Sequence, residues 1–303
     1  MKKLFTLGAL ALMMVGCVEP ITISTIDPNE GKSEIRISTD MQTRVTDTDY
    51  EYGDQIGLYV VNEDEDFDTW STHASNVRFT YDNSTWTPDN PIYWKDKHTR
   101  ANFYCYYPYS DVINAYGHNF SVHQDQSSME RYKASEFLWG KAEYQSPTDE
   151  AINITTNHKM SKVRLAFKAG KGFTFESLRN SIQSVAIDNV AYSCNINLES
   201  GEVSANGDNT SITPLYNESE TTNGQEAVVY YALVVPQTVY SGNNIITIRI
   251  SDDDYKVKLN RDYTFNPGKR HKLNINVDKI NNGVNVGVGD WEEDDDEFWG
   301  DAE

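Results

Sequence analysis

The chain has 303 residues, with 26 Lys and Arg against 46 Asp and Glu, for a formal charge of -20 at pH 7. That balance argues against a nucleic-acid partner, because phosphates reward Lys and Arg, and most of the carboxylates serve solubility. The length exceeds one typical domain and suits two.

The chain opens with a short cationic start, Met1, Lys2 and Lys3, and an apolar stretch from Leu4 to Val15 broken only by Thr6 and Gly8. This is the layout of a signal peptide, too short to act as a membrane-spanning stop. It ends in Val15-Gly16-Cys17, a small residue followed by the cysteine that a lipoprotein peptidase requires. The pattern resembles the bacterial lipobox, with Met14 standing where Leu is commoner. Cleavage is expected between Gly16 and Cys17, with acyl chains on Cys17. The charge then becomes about -22, because Lys2 and Lys3 leave. Several acyl chains on one cysteine hold a protein to a bilayer far better than one does. A polar tract follows to Lys32, with Pro20, Pro28 and Gly31, and reads as a flexible tether over residues 17–32.

Beyond the tether, alternation of period two dominates. Ile35 and Ile37 are separated by polar residues, as are Val77, Phe79 and Tyr81, then Val163, Leu165 and Phe167, then Tyr192, Cys194, Ile196 and Leu198. Ile246, Ile248 and Ile250, Tyr255, Val257 and Leu259, and Leu273, Ile275 and Val277 follow the same rule. Each run predicts a strand with one face in a core and one in water. Ile56–Val61 and Ala227–Val235 are apolar almost throughout and predict central strands buried on both faces. Turn residues separate the runs, which points to β-sandwiches. One stretch predicts a helix, over roughly 175–183, with Thr174 as cap and Phe175, Leu178 and Ile182 on one face.

The boundary between two β-sandwich domains falls near residue 160, giving an N-terminal domain over 33–160 and a C-terminal one over 161–289. Cys105 and Cys194 then lie in different domains, so two buried free thiols are expected rather than a disulfide. Most residues from Asp290 to Glu303 are acidic, and this tail reads as a solvated charge run.

No catalytic constellation emerges: there is neither a glycine-rich phosphate loop nor a nucleophile elbow. His118, His123 and Asp125 form the one histidine cluster, at a spacing wrong for a single helix face, so no metal and no cofactor is expected. The first domain is rich in aromatics, among them Tyr93, Trp94, Phe103, Tyr104, Tyr106, Tyr107, Tyr109 and Trp139. They read as core and strand surface in preference to a sugar platform.

A series of short words recurs in a fixed order: Thr43-Arg44 and then Gly53-Asp54-Gln55-Ile56-Gly57-Leu58-Tyr59; Pro91-Ile92-Tyr93-Trp94; Asn102 through Tyr109; Phe137-Leu138-Trp139-Gly140; His158 through Val163; and Phe265-Asn266-Pro267-Gly268-Lys269. In this the chain resembles the fimbrillin-like proteins, subunits of type V pili and related lipoprotein adhesins, from about Ile35 to Trp291. The resemblance implies two transthyretin-like β-sandwich domains in tandem and no enzyme. It implies an outer-membrane, surface-exposed lipoprotein held by its N-terminal lipid, either retained there or released into fimbriae. In this family a trypsin-like protease cuts after an Arg that follows the first strand, and a strand from the next subunit fills the groove left behind. The corresponding residues here are Arg44 and Val45 for processing, Ile35 and Ile37 for the covering strand, and Val284, Val286 and Val288 for the donor. The partners implied are other fimbrillin-like subunits and a glycan or protein on a host or bacterial surface. An alternative is a glycan-binding surface lipoprotein of a nutrient-uptake system. The acidic tail departs from what a stalk subunit would carry, leaving an anchor, a tip or a non-polymerising adhesin open.

Overall fold

A computed structural model describes Asn29 and residues 31–41, 50–68, 72–111, 114–222, 225–280 and 283–294. In chain order the first elements are β1 (Ile37–Met41), β2 (Gln55–Asn62), β3 (Ala74–Tyr81), β4 (Trp86–Pro88), β5 (Ala101–Tyr107), β6 (His118–Ser121), α1 (Met129–Lys133), β7 (Leu138–Gln145) and β8 (Ile152–His158). Then come β9 (Ser161–Ala169), α2 (Phe175–Ser181), β10 (Ile182–Ile196), β11 (Val203–Ile212), β12 (Leu215–Thr222), β13 (Gln225–Val234) and β14 (Gln237–Val239). The chain closes with β15 (Asn244–Ile250), β16 (Asp253–Lys258), β17 (Tyr263–Phe265), β18 (Arg270–Ile280) and β19 (Gly283–Asp294). The fold is all-β, as the alternation predicts.

The N-terminal strands form one seven-stranded sheet in the order β1-β8-β7-β5-β2-β3-β4. Its two outer strands are linked by a side-chain contact. Trp86 of β4 donates its indole N–H to Thr39 Oγ1 of β1 at 3.0 Å. Beside that contact, Ile35 N–H donates to Ile92 O at 2.8 Å and Trp94 N–H to Ser33 O at 3.0 Å. The enclosed core holds Ile35, Ile37, Ile56, Leu58, Phe79, Trp86, Trp94, Phe103, Cys105, Ile152 and Ile154. The opposite face of the sheet, with Tyr59, Tyr104 and Tyr106, joins a second and larger core through Phe67, Tyr132 and Phe137. That two-sided burial explains the unbroken apolar run in β2.

The larger core lies between two further sheets, β11-β10-β15-β16 with β6 added against β10, and β12-β13-β9-β18-β19. β13 is a central strand, as its apolar run predicts. β6 is the described strand before residue 160 that belongs to a C-terminal sheet, pairing Cys194 with Phe120.

Two expectations need correction. The chain has two short helices among the described residues where one is predicted. α2 matches the prediction: Thr174 Oγ1 accepts from Ser177 N–H while Ser177 Oγ accepts from Thr174 N–H, a reciprocal cap that satisfies two otherwise orphaned donors. α1 is a single turn capped by Ser128, with Tyr132 its one buried residue, so it carries no apolar periodicity to read. The second correction concerns β9, whose alternation predicts a wet face. Lys162 and Arg164 are instead buried, because β9 is sandwiched in its sheet between β13 and β18 and covered on both sides. The Lys162 ammonium lies 4.7 Å from the Tyr231 ring centroid, which offsets part of the cost of taking its charge from water.

Candidate functional site

β1 is a seam strand. On one side it runs parallel to β8, with Ile37 opposite Ile152, Thr39 opposite Ile154 and Met41 opposite Thr156. On the other it is bounded by Trp86 and by the bonds between residues 33–35 and 92–94. Ile35 and Ile37 are 1% and 5% exposed, so both side chains plug the N-terminal core. The β7–β8 ladder covers only His158, Asn157 and Thr156 of β8. The first four residues of β8 therefore have β1 as their strand partner among the described strands.

The reason lies at Gly140. A Cβ added there would meet the Thr155 carbonyl oxygen at 2.2 Å, so β7 and β8 touch backbone to backbone at this point. Beyond it, Tyr144 takes a left-handed backbone (φ 53°) and the ladder with β5 shifts register, carrying β7 away. β1 pairs along the other edge of β8, in the sheet order β1-β8-β7. Tyr50, the next described residue after β1, packs edge-on to Trp86 and Tyr107 and lies 3.2 Å, hydroxyl to hydroxyl, from Thr156. Burial pushes the Tyr50 phenol well above its ordinary pKa. Trp86, Thr39 and Tyr50 belong to the site and are missed by sequence reasoning, since their contacts cross the whole sheet. The proximity of Trp86 to a turn, Asp82-Asn83-Ser84, signals a strand there but not its partner.

Arg44 and Val45 lie outside the described residues, as do Gly16 and Cys17. Val284, Val286 and Val288 lie in β19, the outer strand of its sheet, opposite Lys279, Val277 and Ile275 of β18. Val284 and Val286 pack on the larger core, and Val284 N–H donates to the Tyr255 hydroxyl at 3.1 Å. β19 also runs on through Trp291 into the acidic run, with Glu292, Glu293 and Asp294 in backbone register with Lys272, His271 and Arg270. The backbone of β19 thus extends to Asp294.

The remaining candidates are structural. Cys105 and Cys194 are free, buried thiols in separate cores, and burial pushes both up to about 12. His118 is buried beside Tyr106 and Phe137, whereas His123 is exposed and Asp125 pairs with Arg131. Trp94, Phe103, Tyr104, Tyr106 and Trp139 are core residues. Among the described residues no three His, Cys, Asp or Glu side chains converge as a metal site would need.

The family model described as fimbrillin-like matches residues 43–291, and the chain belongs to the fimbrillin-like family. A protein provisionally named fimbrium subunit Fim1C, from Bacteroides uniformis ATCC 8492, is 26% identical over 206 residues, which cover 65% of this chain and 66% of that one. One provisionally named fimbrium tip subunit Fim1C, from Bacteroides ovatus ATCC 8483, is 36% identical over 81 residues, 25% of this chain and 14% of that one. The chain thus spans about two thirds of the length of the first and a small part of the second. The crystal structure of a provisionally assigned cell adhesion protein from B. uniformis matches with a TM-score of 0.63 at 21% identity, over 89% of this chain and 99% of that one. Another such protein, from B. ovatus, matches at 0.63 and 16%, over 86% and 98%. At these identities the two structures speak for the fold.

Proposed function

We propose that this chain is a lipid-anchored surface subunit of adhesive fimbriae that joins its neighbours by strand addition after β1 is cut away. One observation carries the reading: β1 is an outer strand that pairs with β8 and touches Trp86 of the other outer strand, while Ile35 and Ile37 are buried in the core. Burying Ile35 and Ile37 stabilises the closed form by roughly 1.5–3 kcal/mol each. Removing them would open a groove lined by Trp86, Ile152 and Ile154 and leave the start of β8 with unpaired backbone. Such a groove accepts any strand that offers main-chain bonds and apolar side chains at alternate positions. Val284, Val286 and Val288 have that spacing in the C-terminal region of a neighbouring subunit. To serve as donor, β19 must leave β18, or reach the neighbour from the outer edge it already occupies.

In the same reading Cys17 carries the lipid that holds the precursor at the outer membrane, and cleavage after Arg44 separates the rest of the N-terminal domain (33–160), from Val45 onward, and the C-terminal domain (161–289) from the covalent anchor. The test is digestion of the intact lipoprotein with a trypsin-like protease, followed by N-terminal sequencing and electron microscopy. A new terminus at Val45 with appearance of oligomers or fibres is expected. A first cut elsewhere in the folded protein, or cut protein that stays monomeric with β1 still bound, overturns the reading.

A further inference from the structure

We infer that the outer face of the β11-β10-β15-β16 sheet carries a binding groove for a carboxylate-bearing saccharide, of the uronic- or sialic-acid kind. This does not depend on strand exchange, since it lies on the C-terminal half. Two concavities adjoin there, of about 250 and 490 Å³; Asn209 lines both, and the consecutive Asn243 and Asn244 line one each.

The hollow has a local cause. Two irregularities converge at the same level. The β10–β11 register shifts between Asp188 and Val190, around Asn189 in a left-handed conformation (φ 58°). The β15–β16 register shifts between Asn244 and Ile246. Asn189 Nδ2 donates to Asn244 O at 2.6 Å and ties the two bulges together. Bulges of this kind re-aim side chains and gather beside binding sites.

The groups so presented suit a sugar acid. Asp188 is fixed on the floor, its two oxygens accepting from the hydroxyls of Ser211 and Thr247. Its charge would repel a densely sulfated chain but tolerates one carboxylate held further out. Lys256 and Lys258 are exposed, and both flank the larger hollow from one side of β16. Neither is in an ion pair with a described residue, in a chain where acids outnumber bases 46 to 26. Asn244 Oδ1 is buried without a hydrogen-bond donor, although it lines the hollow. A buried orphan acceptor is costly, and a ligand hydroxyl would satisfy it. In the smaller hollow Tyr240 is 65% exposed, offering a ring face for the apolar side of a pyranose. Ammonium groups for a carboxylate, amide and carboxylate acceptors for hydroxyls, and one aromatic platform together describe an acidic saccharide better than a nucleotide, a peptide or a lipid. A single shallow site of this kind binds weakly, and repetition along a fibre would raise its avidity.

The test uses the whole secreted protein and saturation-transfer NMR with short oligogalacturonate and sialyllactose, each compared with its methyl ester. The acids should bind in the millimolar range or tighter, with the esters weaker by about tenfold. Lys256→Gln with Lys258→Gln should erase the difference between acid and ester, whereas Lys256→Arg with Lys258→Arg keeps it. Tyr240→Ala should weaken acid and ester alike by about fivefold or more. All these residues are exposed, so unchanged thermal unfolding confirms intact variants. Equal binding of acid and ester, indifference to the double lysine change, or no binding of either acid overturns the proposal.

Discussion

Trp86 and Thr39 stand at opposite ends of the seven-stranded sheet in strand order, yet the indole N–H of one donates to the hydroxyl of the other at 3.0 Å. This bond links the two outer strands, and it falls on the strand whose removal the proposed assembly requires.

Thr39→Val keeps the shape of the side chain and removes the acceptor. Trp86 is 7% exposed, so its N–H is left unsatisfied in a dry place. The expected cost is about 1–3 kcal/mol, measured by urea unfolding, with faster proteolysis near β1. An unchanged midpoint would mean that the seam rests on its backbone bonds alone.

Gly140→Ala should destabilise the N-terminal half through β8. The added methyl meets the Thr155 carbonyl oxygen at 2.2 Å, and backbone must shift to make room. A loss of about 1–3 kcal/mol is expected, as for overpacking elsewhere. Amide exchange should speed up along residues 152–158 and at β1, which depends on them. A neutral change would show that β7 and β8 can part freely at this crossing.

His118 should make stability depend on pH below neutrality. Burial beside Tyr106 and Phe137 holds its pKa below the ordinary value. In the unfolded chain the imidazole takes up a proton near its usual pKa of about 6.5, while in the folded chain burial shifts that uptake to lower pH. The unfolded state thus binds more protons in this window, and stability falls as pH falls through it. His118→Gln should flatten that slope in denaturation curves collected at both ends of the window. An unchanged slope would assign the dependence to other groups.

Cys105 and Cys194 should be inert to a thiol reagent in the folded protein at neutral pH. Burial keeps both protonated, with pKa raised to about 12, and each is enclosed in its own core. Both should react on unfolding in denaturant. Rapid labelling of either in native buffer would mean that its core opens on the timescale of the assay.

Much of the architecture is written locally. A strand buried on one face must alternate, and one buried on both faces cannot, so β2, β13, β15 and β18 are legible from residues such as Ile56, Val229, Ile248 and Ile275 taken a few at a time. The reciprocal cap at Thr174 and Ser177 is likewise local, and α2 is read correctly from it. β9 misleads for the same reason. Its period-two pattern is genuine, but whether Lys162 and Arg164 face water depends on what lies over the sheet.

The sequence by itself determined the all-β class, the free thiols as default, the family through its ordered words, and Ile35 and Ile37 as core residues of the first strand. Only the tertiary structure decided that this strand is a seam, that Trp86, Thr39 and Tyr50 lock it, and that β19 pairs with β18 through Asp294. It alone brought Asp188, Asn244 and Lys256 to one hollow. Alternation and capping are set by neighbours a few residues apart, and so they leave a trace in the chain. Sheet order, closure and concavity come from pairing segments far apart in sequence. That pairing is chosen by the burial and backbone bonding of the whole molecule, which no short stretch encodes.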